Sequence, residues 1–266
     1  MNDIPIALTI AGADSSGGAG IQADLKTFQH FGVYGMTAIT CVVAESSAEV
    51  RSIHPIPTDI VHDQISLLLE SYPIAAIKTG MLYSEAIANT VASILEHYPD
   101  LPLIVDPVMI ASTGDSLAEG NPNQAYLNGI FPHTDLITPN LDEAETLLGA
   151  PITSEADQAA AAFALHQQLG CSILLKGGHL EGPQCLDLLV HEGERTDFRS
   201  PRIHTPASHG TGCTLAAAIA AGMACGHPMT TAIDKAKTFL NQSLRHAFSL
   251  GKLHALNQGT SFSQAF

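Results

Sequence analysis

Basic residues are scarce in this chain. Its 266 residues include 11 lysines and arginines against 26 aspartates and glutamates. The resulting net charge of -15 argues against nucleic acid or an anionic membrane surface as a partner. Any phosphate compound bound here must therefore be held by local positive features, such as a helix N-terminus, a lysine or a metal ion.

Paired cysteines and targeting segments are also lacking. The five cysteines form neither a CxxC motif nor a zinc-binding spacing, and their odd number without a signal peptide indicates a reducing compartment. Met1-Asn2-Asp3 lacks the basic region of a secretion signal. The alanine-rich run after Cys213 is too short to span a bilayer and is interrupted by Gly222. We therefore expect a cytoplasmic protein.

Two common nucleotide-binding motifs are missing. The P-loop motif G-x-x-x-x-G-K-[ST] does not occur. The glycine-rich segment Gly12–Gly20 lacks the G-x-G-x-x-G spacing of a dinucleotide-binding turn. Kinase chemistry on this chain would therefore use a different scaffold.

Apolar runs of strand length alternate with stretches of helix length. Runs that are continuous rather than alternating are typical of a parallel sheet covered on both faces. We expect a hairpin that turns at Gly193, and two helices from Thr214 onward with a break near Gly226. With 45% hydrophobic residues and no repeat or linker, residues 1–266 are expected to form one α/β domain. The other predicted elements are strands at Ile6–Ala11, Met36–Val43, Ala75–Lys78, Leu103–Val105, Leu136–Thr138 and Ile173–Leu175, the hairpin strands Leu186–Val190 and Arg195–Phe198, and helices at Gly18–Phe31 and Thr58–Ser71.

The segment Ser208–Thr214, with the sequence SHGTGCT, leads into a strong helix-forming run. Gly210 and Gly212 allow backbone N–H groups to turn toward a ligand, and the first turn of a helix leaves N–H donors unpaired. Together these features indicate an anion site with Cys213 at its edge. We expect the Cys213 thiol to ionise more readily than a free cysteine, because it lies at a helix N-terminus.

Distinctive polar residues and glycines follow the predicted strands. In an open α/β sheet, ligands bind beyond the carboxyl ends of the strands, so these residues are expected to share one site. They are Gly12, Asp14, Glu45, Lys78, Gly80, Asp106, Asn140, Lys176, Gly177 and Gly178.

Three of these features, the loop 12–20, Glu45 and Asp106, each have a structural alternative. The loop 12–20 is either a loop that closes over a small substrate or a flexible turn capped by Ser16 or Asp14, and its four glycines in nine positions favour the functional interpretation. Glu45 is suited to accept hydrogen bonds from an amino-substituted heterocycle, or is a solvated strand end. Asp106 could hold Mg²⁺, or belong to an Asp-Pro turn.

Asn140 and Glu143 are three residues apart at a predicted helix start. They suit a hydrated Mg²⁺ that carries phosphates, or a capping box, and both interpretations can hold together. Lys176 is expected to reach phosphate oxygens. Asp24, inside the first helix, is expected to be a surface charge. His179 and the other histidines are expected to be surface or core residues, and residues 111–115 could form a mobile flap.

Short segments spread along essentially the whole chain carry a family resemblance. They are Leu8–Gly12, Gly17–Thr27, Gly32–Gly35, Lys78–Leu82, Asp106–Met109, Ile137–Asn140, Leu175–His179 and His209–Thr214. In this order they resemble the ribokinase-like superfamily, and within it the hydroxymethylpyrimidine/phosphomethylpyrimidine kinases of thiamine biosynthesis. The resemblance implies a three-layer α/β/α fold with a mainly parallel central sheet, ATP with Mg²⁺, and a homodimer.

The resemblance also implies a reaction and the residues that carry it. The expected reaction is the phosphorylation of 4-amino-5-hydroxymethyl-2-methylpyrimidine, then of its monophosphate to the diphosphate. The expected catalytic residues, which would hold the transferred phosphoryl group, are Cys213, Gly210 and Gly212. The expected substrate-binding residues are Glu45, which would bind the aminopyrimidine, with Gly12, Met81 and Val108. The expected ATP- and phosphate-binding residues are Lys176, Asn140, Glu143 and Thr211, and the metal would be held, directly or through water, by Asp106 and Glu143. Cys213 stands where the superfamily commonly has an aspartate base, and the pyrimidine kinases are the branch that resembles this chain in having cysteine.

Two alternatives remain at this point. The first is a pyridoxal kinase, although cysteine-type members with that second activity are associated with an additional flap cysteine, which residues 111–114 lack. The second is a non-catalytic protein that senses the pyrimidine. The presence of Lys176 and of the Gly210–Gly212 loop argues against a sensor, because a sensor need not keep phosphate machinery.

Overall fold

The computed structural model describes residues 4–46, 49–108, 122–178 and 180–259. The strands in this part of the chain are β1 (Ile6–Asp14), β2 (Tyr34–Glu45), β3 (Val50–Pro55), β4 (Ala76–Thr79), β5 (Leu103–Val105), β6 (Leu136–Ile137), β7 (Ser172–Lys176), β8 (Gln184–His191), β9 (Glu194–Pro201), β10 (Phe248–Leu250) and β11 (Leu253–Ala255). The helices are α1 (Gly20–His30), α2 (Thr58–Ser71), α3 (Glu85–Leu95), α4 (Pro122–Ala125), α5 (Leu141–Leu148), α6 (Glu155–Leu169), α7 (Thr211–Ala224) and α8 (Met229–Arg245).

The first nine strands form one sheet in the order β3-β2-β1-β4-β5-β6-β7-β8-β9. The six central strands of this order, β2, β1, β4, β5, β6 and β7, pair in parallel. At the two edges, β3 on one side and β8 and β9 on the other pair antiparallel. The predicted parallel sheet is therefore confirmed at its centre. All six parallel strands end on one edge, which brings their carboxyl ends together.

Two hydrophobic cores lie on opposite faces of the sheet. In β1, Leu8 packs into the core with α2, α3, α5 and α6, while its neighbour Ala7 packs into the core with α1, α7 and α8. Successive side chains of a strand point to opposite faces, so a strand covered on both sides must be apolar throughout. The three-layer α/β/α architecture expected from the resemblance is confirmed.

Helix α7 is buried on all sides over its central part, from Thr214 to Gly222. A helix that is apolar all around requires neighbours on every face. A Cβ added to Gly222 would lie 2.8 Å from the Cβ of Ala232 in α8, so the small residues allow the two helices to approach closely. The alanine-rich run is thus a central core helix. It begins at Thr211, three residues before the predicted start.

The hairpin predicted around Gly193 is confirmed as β8 and β9, which pair over more residues than predicted. Glu192 and Gly193 both have positive φ, the conformation that a tight two-residue hairpin turn requires. The expectation that the chain after Thr214 is only two helices was wrong, because the hairpin of β10 and β11 follows α8. Strands of three residues are too short to show a hydrophobic period. The edge strand β3 was not predicted either.

None of the helices in the described part of the chain is long and apolar enough to cross a membrane.

The expectation that Asp24 is a surface charge was wrong. The side chain is fully buried, and its carboxylate accepts hydrogen bonds from Lys78 Nζ at 3.0 and 2.8 Å and from Thr9 Oγ1 at 2.6 Å. Burial raises the pKa of Asp24, and the Lys78 ammonium opposes that shift. Lys78 belongs to β4 and is fully buried beneath the carboxyl ends of the strands. The burial of a charged helix residue can be predicted from sequence only when its partner on a distant strand is known.

We predict that Lys78→Met lowers the free energy of unfolding by about 3–5 kcal/mol, because it leaves the Asp24 charge buried without its counter-ion. The double variant Lys78→Met/Asp24→Asn should recover much of this loss, since no uncompensated charge remains. Urea denaturation followed by circular dichroism measures both effects. A double variant as unstable as the sum of the two single variants would contradict the pairing.

Candidate active site

A cavity of about 690 Å³ opens at the carboxyl ends of the parallel strands. It is where the sheet topology predicts a ligand site. The residues to which the resemblance assigns a role all line this one cavity: Gly12, Glu45, Met81, Asp106, Val108, Asn140, Glu143, Lys176, Gly210, Thr211, Gly212 and Cys213. Of the other residues expected to share the site, Asp14 and Gly178 line the cavity, whereas Lys78, Gly80 and Gly177 do not. Residues 111–115 and His179, also named from the sequence, lie outside the described residues.

Two glycine loops pack directly against each other at the wall of the cavity. One joins β1 to α1, and the other leads into α7. Gly210 has a φ of 81°, and a Cβ placed there would lie 1.9 Å from the carbonyl oxygen of Gly18. Gly20 has a φ of 57°, and its Cβ would lie 2.4 Å from the carbonyl oxygen of Gly12. Both positions therefore require glycine, for conformation and for space.

The carboxylate of Asp14 organises the first of these loops. It accepts hydrogen bonds from the backbone N–H groups of Ser16, Gly18 and Ala19 at 2.7, 3.1 and 2.8 Å. Burial favours a raised pKa for Asp14, but hydrogen bonds from His209, Ala19 and Ser16 together hold it well below its usual range. Both sequence interpretations of the loop have support here, since Asp14 does cap it and the loop does line the cavity.

His209 connects the two loops. Its Nε2 lies 3.0 Å from Asp14 Oδ2 and 3.8 Å from Glu45 Oε1. The hydrogen bond with Asp14 raises the pKa of His209, burial opposes the shift, and Glu45 adds to it. His209 was expected to be an ordinary surface or core histidine, which is wrong, because it lines the cavity between two carboxylates. Its place directly before Gly210 was the signal that could have identified it.

Asp14, Glu45 and His209 also lie close enough to hold a metal ion. Asp14 is poorly suited to that role. Its Oδ2 already meets Ser16 Oγ, the N–H groups of Gly18 and Ala19, and His209 Nε2. This cluster fits a hydrogen-bonded network better than a cation site.

Glu45 lies at the end of β2 and lines the cavity. Burial raises the pKa of Glu45, and His209 opposes the shift. Ser15 fixes the backbone at this point, because its hydroxyl donates to the Glu45 carbonyl and accepts from the Glu45 N–H, both at 2.9 Å. A Cβ on Gly12 would lie 3.1 Å from Met81 Cε. The same cavity therefore offers a carboxylate and the apolar side chain of Met81, a combination that suits a small polar aromatic ring.

Asp106 and Lys176 form an ion pair in the wall of the cavity. Lys176 Nζ lies 3.0 Å from Asp106 Oδ1, which also accepts a hydrogen bond from Thr138 Oγ1 at 3.3 Å. A Cβ on Gly212 would lie 3.2 Å from Asp106 Oδ2 and 3.3 Å from Lys176 Nζ. The first turn of α7 therefore meets this charged pair directly.

Asn140 and Glu143 form the predicted capping box at the start of α5. Asn140 Oδ1 accepts from the Glu143 N–H at 2.8 Å, and Glu143 Oε2 accepts from the Asn140 N–H at 2.7 Å. Burial raises the pKa of Glu143 to about 7; Lys176 opposes that shift and Asp106 adds to it. The capping box is therefore confirmed, and because both residues also line the cavity, the magnesium interpretation stays a prediction.

The carboxylates of Asp106 and Glu143 form a donor set that fits Mg²⁺. Asp106 and Glu143 offer carboxylate oxygens, the ligands that this hard cation prefers. Each of the two hydrogen bonds that reach the Asp106 carboxylate from the described residues ends on Oδ1. Burial, with a smaller contribution from Asp106, raises the pKa of Glu143, and a bound cation would lower it.

Cys213 lies in the first turn of α7, at the meeting point of the two loops. The expectation of a readily ionised thiol was wrong, because burial raises the pKa of Cys213 to about 11. Lys78 and a backbone hydrogen bond from Gly20 lower it, whereas Asp24 and Asp106 raise it. Desolvation and two nearby carboxylates thus outweigh Lys78 and the hydrogen bond from Gly20.

Comparison with known proteins agrees with this geometry. Residues 14–257 match the family model for phosphomethylpyrimidine kinase. The chain belongs to the phosphomethylpyrimidine kinase family. It is 40% identical to the hydroxymethylpyrimidine/phosphomethylpyrimidine kinase of Haemophilus influenzae, over 99% of this chain and 100% of that one.

Solved structures support the same family membership. The phosphomethylpyrimidine kinase of Clostridium difficile is 35% identical with a TM-score of 0.80, and the match covers 91% of this chain and 100% of that one. A pyridoxal kinase of Bacillus subtilis, solved as an ADP complex, is also 35% identical, with a TM-score of 0.89 and coverage of 96% and 97%. The fold is therefore shared by phosphomethylpyrimidine and pyridoxal kinases.

We predict a pH-dependent difference in stability between the wild type and His209→Gln. Because the pKa of His209 is raised in the folded protein, its charge contributes stability that is fully present below the unfolded-state value and is lost as pH rises through the folded-state value. The wild type should be more stable by about 1 kcal/mol near pH 6 and should approach the variant near pH 9. Urea unfolding across this range measures the difference, and a constant difference would contradict the ion pair.

Proposed function

We propose that this kinase transfers a phosphoryl group from ATP to 4-amino-5-hydroxymethyl-2-methylpyrimidine, and a second one to its monophosphate, in thiamine biosynthesis. The observation that carries the proposal is that Glu45, Cys213 and Lys176 line one cavity. These three residues are a hydrogen-bond acceptor for an aminopyrimidine, a thiol at a helix N-terminus and a phosphate-binding cation. The family match and the Haemophilus influenzae relative support the same substrate.

The proposed roles follow the cavity from end to end. Glu45 would accept hydrogen bonds from the aminopyrimidine, with Gly12, Met81 and Val108 against the ring. Lys176, Asn140 and Thr211 would bind the phosphates of ATP, and Asp106 with Glu143 would hold Mg²⁺. Bound there, Mg²⁺ would neutralise charge on the transferring phosphates. The first turn of α7, with Gly210 and Gly212, would hold the phosphoryl group on backbone N–H groups.

The transfer itself needs alignment more than covalent chemistry. The hydroxymethyl oxygen forms a bond to the γ-phosphorus, the bond from that phosphorus to the ADP oxygen breaks, and the hydroxyl proton passes to an oxygen of the transferred phosphoryl group or to solvent. A thiol with a pKa of about 11 is protonated at neutral pH. Cys213 therefore orients the hydroxyl in the resting enzyme. It could accept the hydroxyl proton only after the thiol had itself ionised to a thiolate.

We further propose one ribokinase-like domain over residues 1–266, a cytoplasmic location and a homodimer. All five cysteines are free thiols, as expected in a reducing compartment. Tyr34 and Val42 on β2 are exposed apolar side chains, and so are Ile60 and Leu67 on α2. A second copy of the chain would remove such surface from water.

A pyridoxal kinase is the second candidate, because the Bacillus subtilis pyridoxal kinase has the TM-score of 0.89. We predict that an ADP-release assay with ATP and Mg²⁺ gives the highest kcat/KM for the hydroxymethylpyrimidine and its monophosphate, and a lower value for pyridoxal. EDTA should abolish turnover, and sedimentation velocity on the same sample tests the dimer. A higher value for pyridoxal would favour the second candidate, and no ADP release with any acceptor would favour a sensor.

We predict that Cys213→Ala lowers kcat by about two orders of magnitude while ATP binding is retained, because the thiol contacts the acceptor side of the reaction. Steady-state kinetics and equilibrium binding of ATP measure the two effects. Cys225→Ala is the matched control, since Cys225 is exposed at the far end of α7. Unchanged turnover in Cys213→Ala would refute the role of the thiol.

A further inference from the structure

The segment after β11 returns to the wall of the active site. Gln258 is only 2% exposed, and Leu256, two residues before it, is 4% exposed. The Asn257 N–H donates to the carbonyl oxygen of Ser243 in α8 at 3.2 Å. This part of the chain is therefore a packed element that is anchored on α8.

The side-chain amide of Gln258 reaches both glycine loops. Its Nε2 donates to the carbonyl oxygen of Gly18 at 3.3 Å and to Thr214 Oγ1 at 2.8 Å. Thr214 Oγ1 in turn donates to the carbonyl oxygen of Gly210 at 2.7 Å. One buried amide thus links the two glycines whose backbones touch, directly on one side and through a hydroxyl on the other.

These hydrogen bonds control the orientation of two peptide planes. In the planar unit between Gly18 and Ala19, the carbonyl faces Gln258 while the N–H donates to Asp14 Oδ2 at 2.8 Å. Asp14 and Gln258 therefore hold opposite sides of the same peptide. The Gly210 carbonyl accepts from both the N–H and the hydroxyl of Thr214, at the start of α7.

The orientation of these peptide planes affects the position of Cys213 and of the first turn of α7. Cys213 directly precedes Thr214, and a backbone hydrogen bond from Gly20 reaches Cys213 across the contact between the loops. Since Gly210 and Gly18 are in direct backbone contact, a small rotation of either peptide shifts the first turn of α7. A misplacement of about 1 Å in such a site is enough to lower a rate about a hundredfold.

We propose that Gln258 is a positioning residue for phosphoryl transfer. By bridging Gly18 and Thr214, it fixes the position of the two glycine loops relative to each other, and so positions the first turn of α7 against the reacting groups. Gln258 does not line the active-site cavity, so its effect acts through the loops. The inference rests on the proposed function.

The test is Gln258→Met, which keeps the length of the side chain and removes both hydrogen bonds. We expect kcat for the pyrimidine to fall about tenfold or more, with the KM for ATP changed less than about twofold. Gln242→Met is the matched control, because Gln242 is an exposed glutamine on α8. Wild-type kcat in a folded Gln258→Met enzyme overturns the proposal.

Thr214 provides a second test that leaves Gln258 in place. Thr214→Val removes the hydroxyl that relays the bond to Gly210, and Thr214→Ser keeps it. We expect Thr214→Val to lower kcat severalfold more than Thr214→Ser does. The kcat of the double variant Thr214→Val/Gln258→Met should be little lower than that of the less active of its two single variants. Equal kcat for the two Thr214 variants, or losses that multiply in the double variant, overturns the relay. A wild type that phosphorylates no pyrimidine would overturn the proposed function instead.

Discussion

The close contact between two glycine loops is the constraint on which the site depends. Gly210 and Gly18 meet backbone to backbone, so neither loop can move without the other. Such proximity is unusual because peptide groups need their own hydrogen-bond partners. Here the Asp14 carboxylate and the Gln258 amide are partners of the loop peptide groups, and His209 in turn bonds the Asp14 carboxylate. The glycines allow the approach, and these side chains hold it.

The same contact shows how an acidic chain can bind phosphates. Lys78 is neutralised by Asp24 beneath the site, and Lys176 faces both Asp106 and Glu143. The charged end of the cavity is therefore not strongly positive by itself. Backbone N–H groups at the start of α7 supply positive potential without adding an ionisable group. A divalent cation bound with the nucleotide would supply the rest, which is consistent with the raised pKa of Glu143.

Local pattern was sufficient for the parallel strands, the hairpin at Gly193 and the position of the site, because each follows from a hydrophobic period or from the edge where parallel strands end. It failed where a distant partner decides the outcome. Asp24 looks like any helix charge until Lys78 is placed beside it. The contact between His209 and Asp14 spans 195 residues, and that between Gln258 and Gly18 spans 240. No local pattern encodes such pairs.

Cys213 shows why position and reactivity must be argued separately. A helix N-terminus stabilises a thiolate, but the effect is modest, whereas burial and two carboxylates act together in the opposite direction. The balance leaves a protonated thiol in the wall of the cavity that we propose holds the phosphoryl group. Such a group is well suited to orient a hydroxyl and poorly suited to remove its proton in the resting state. Deprotonation is then easiest late in the reaction, when the alcohol oxygen is already bonded to phosphorus and its proton has become acidic.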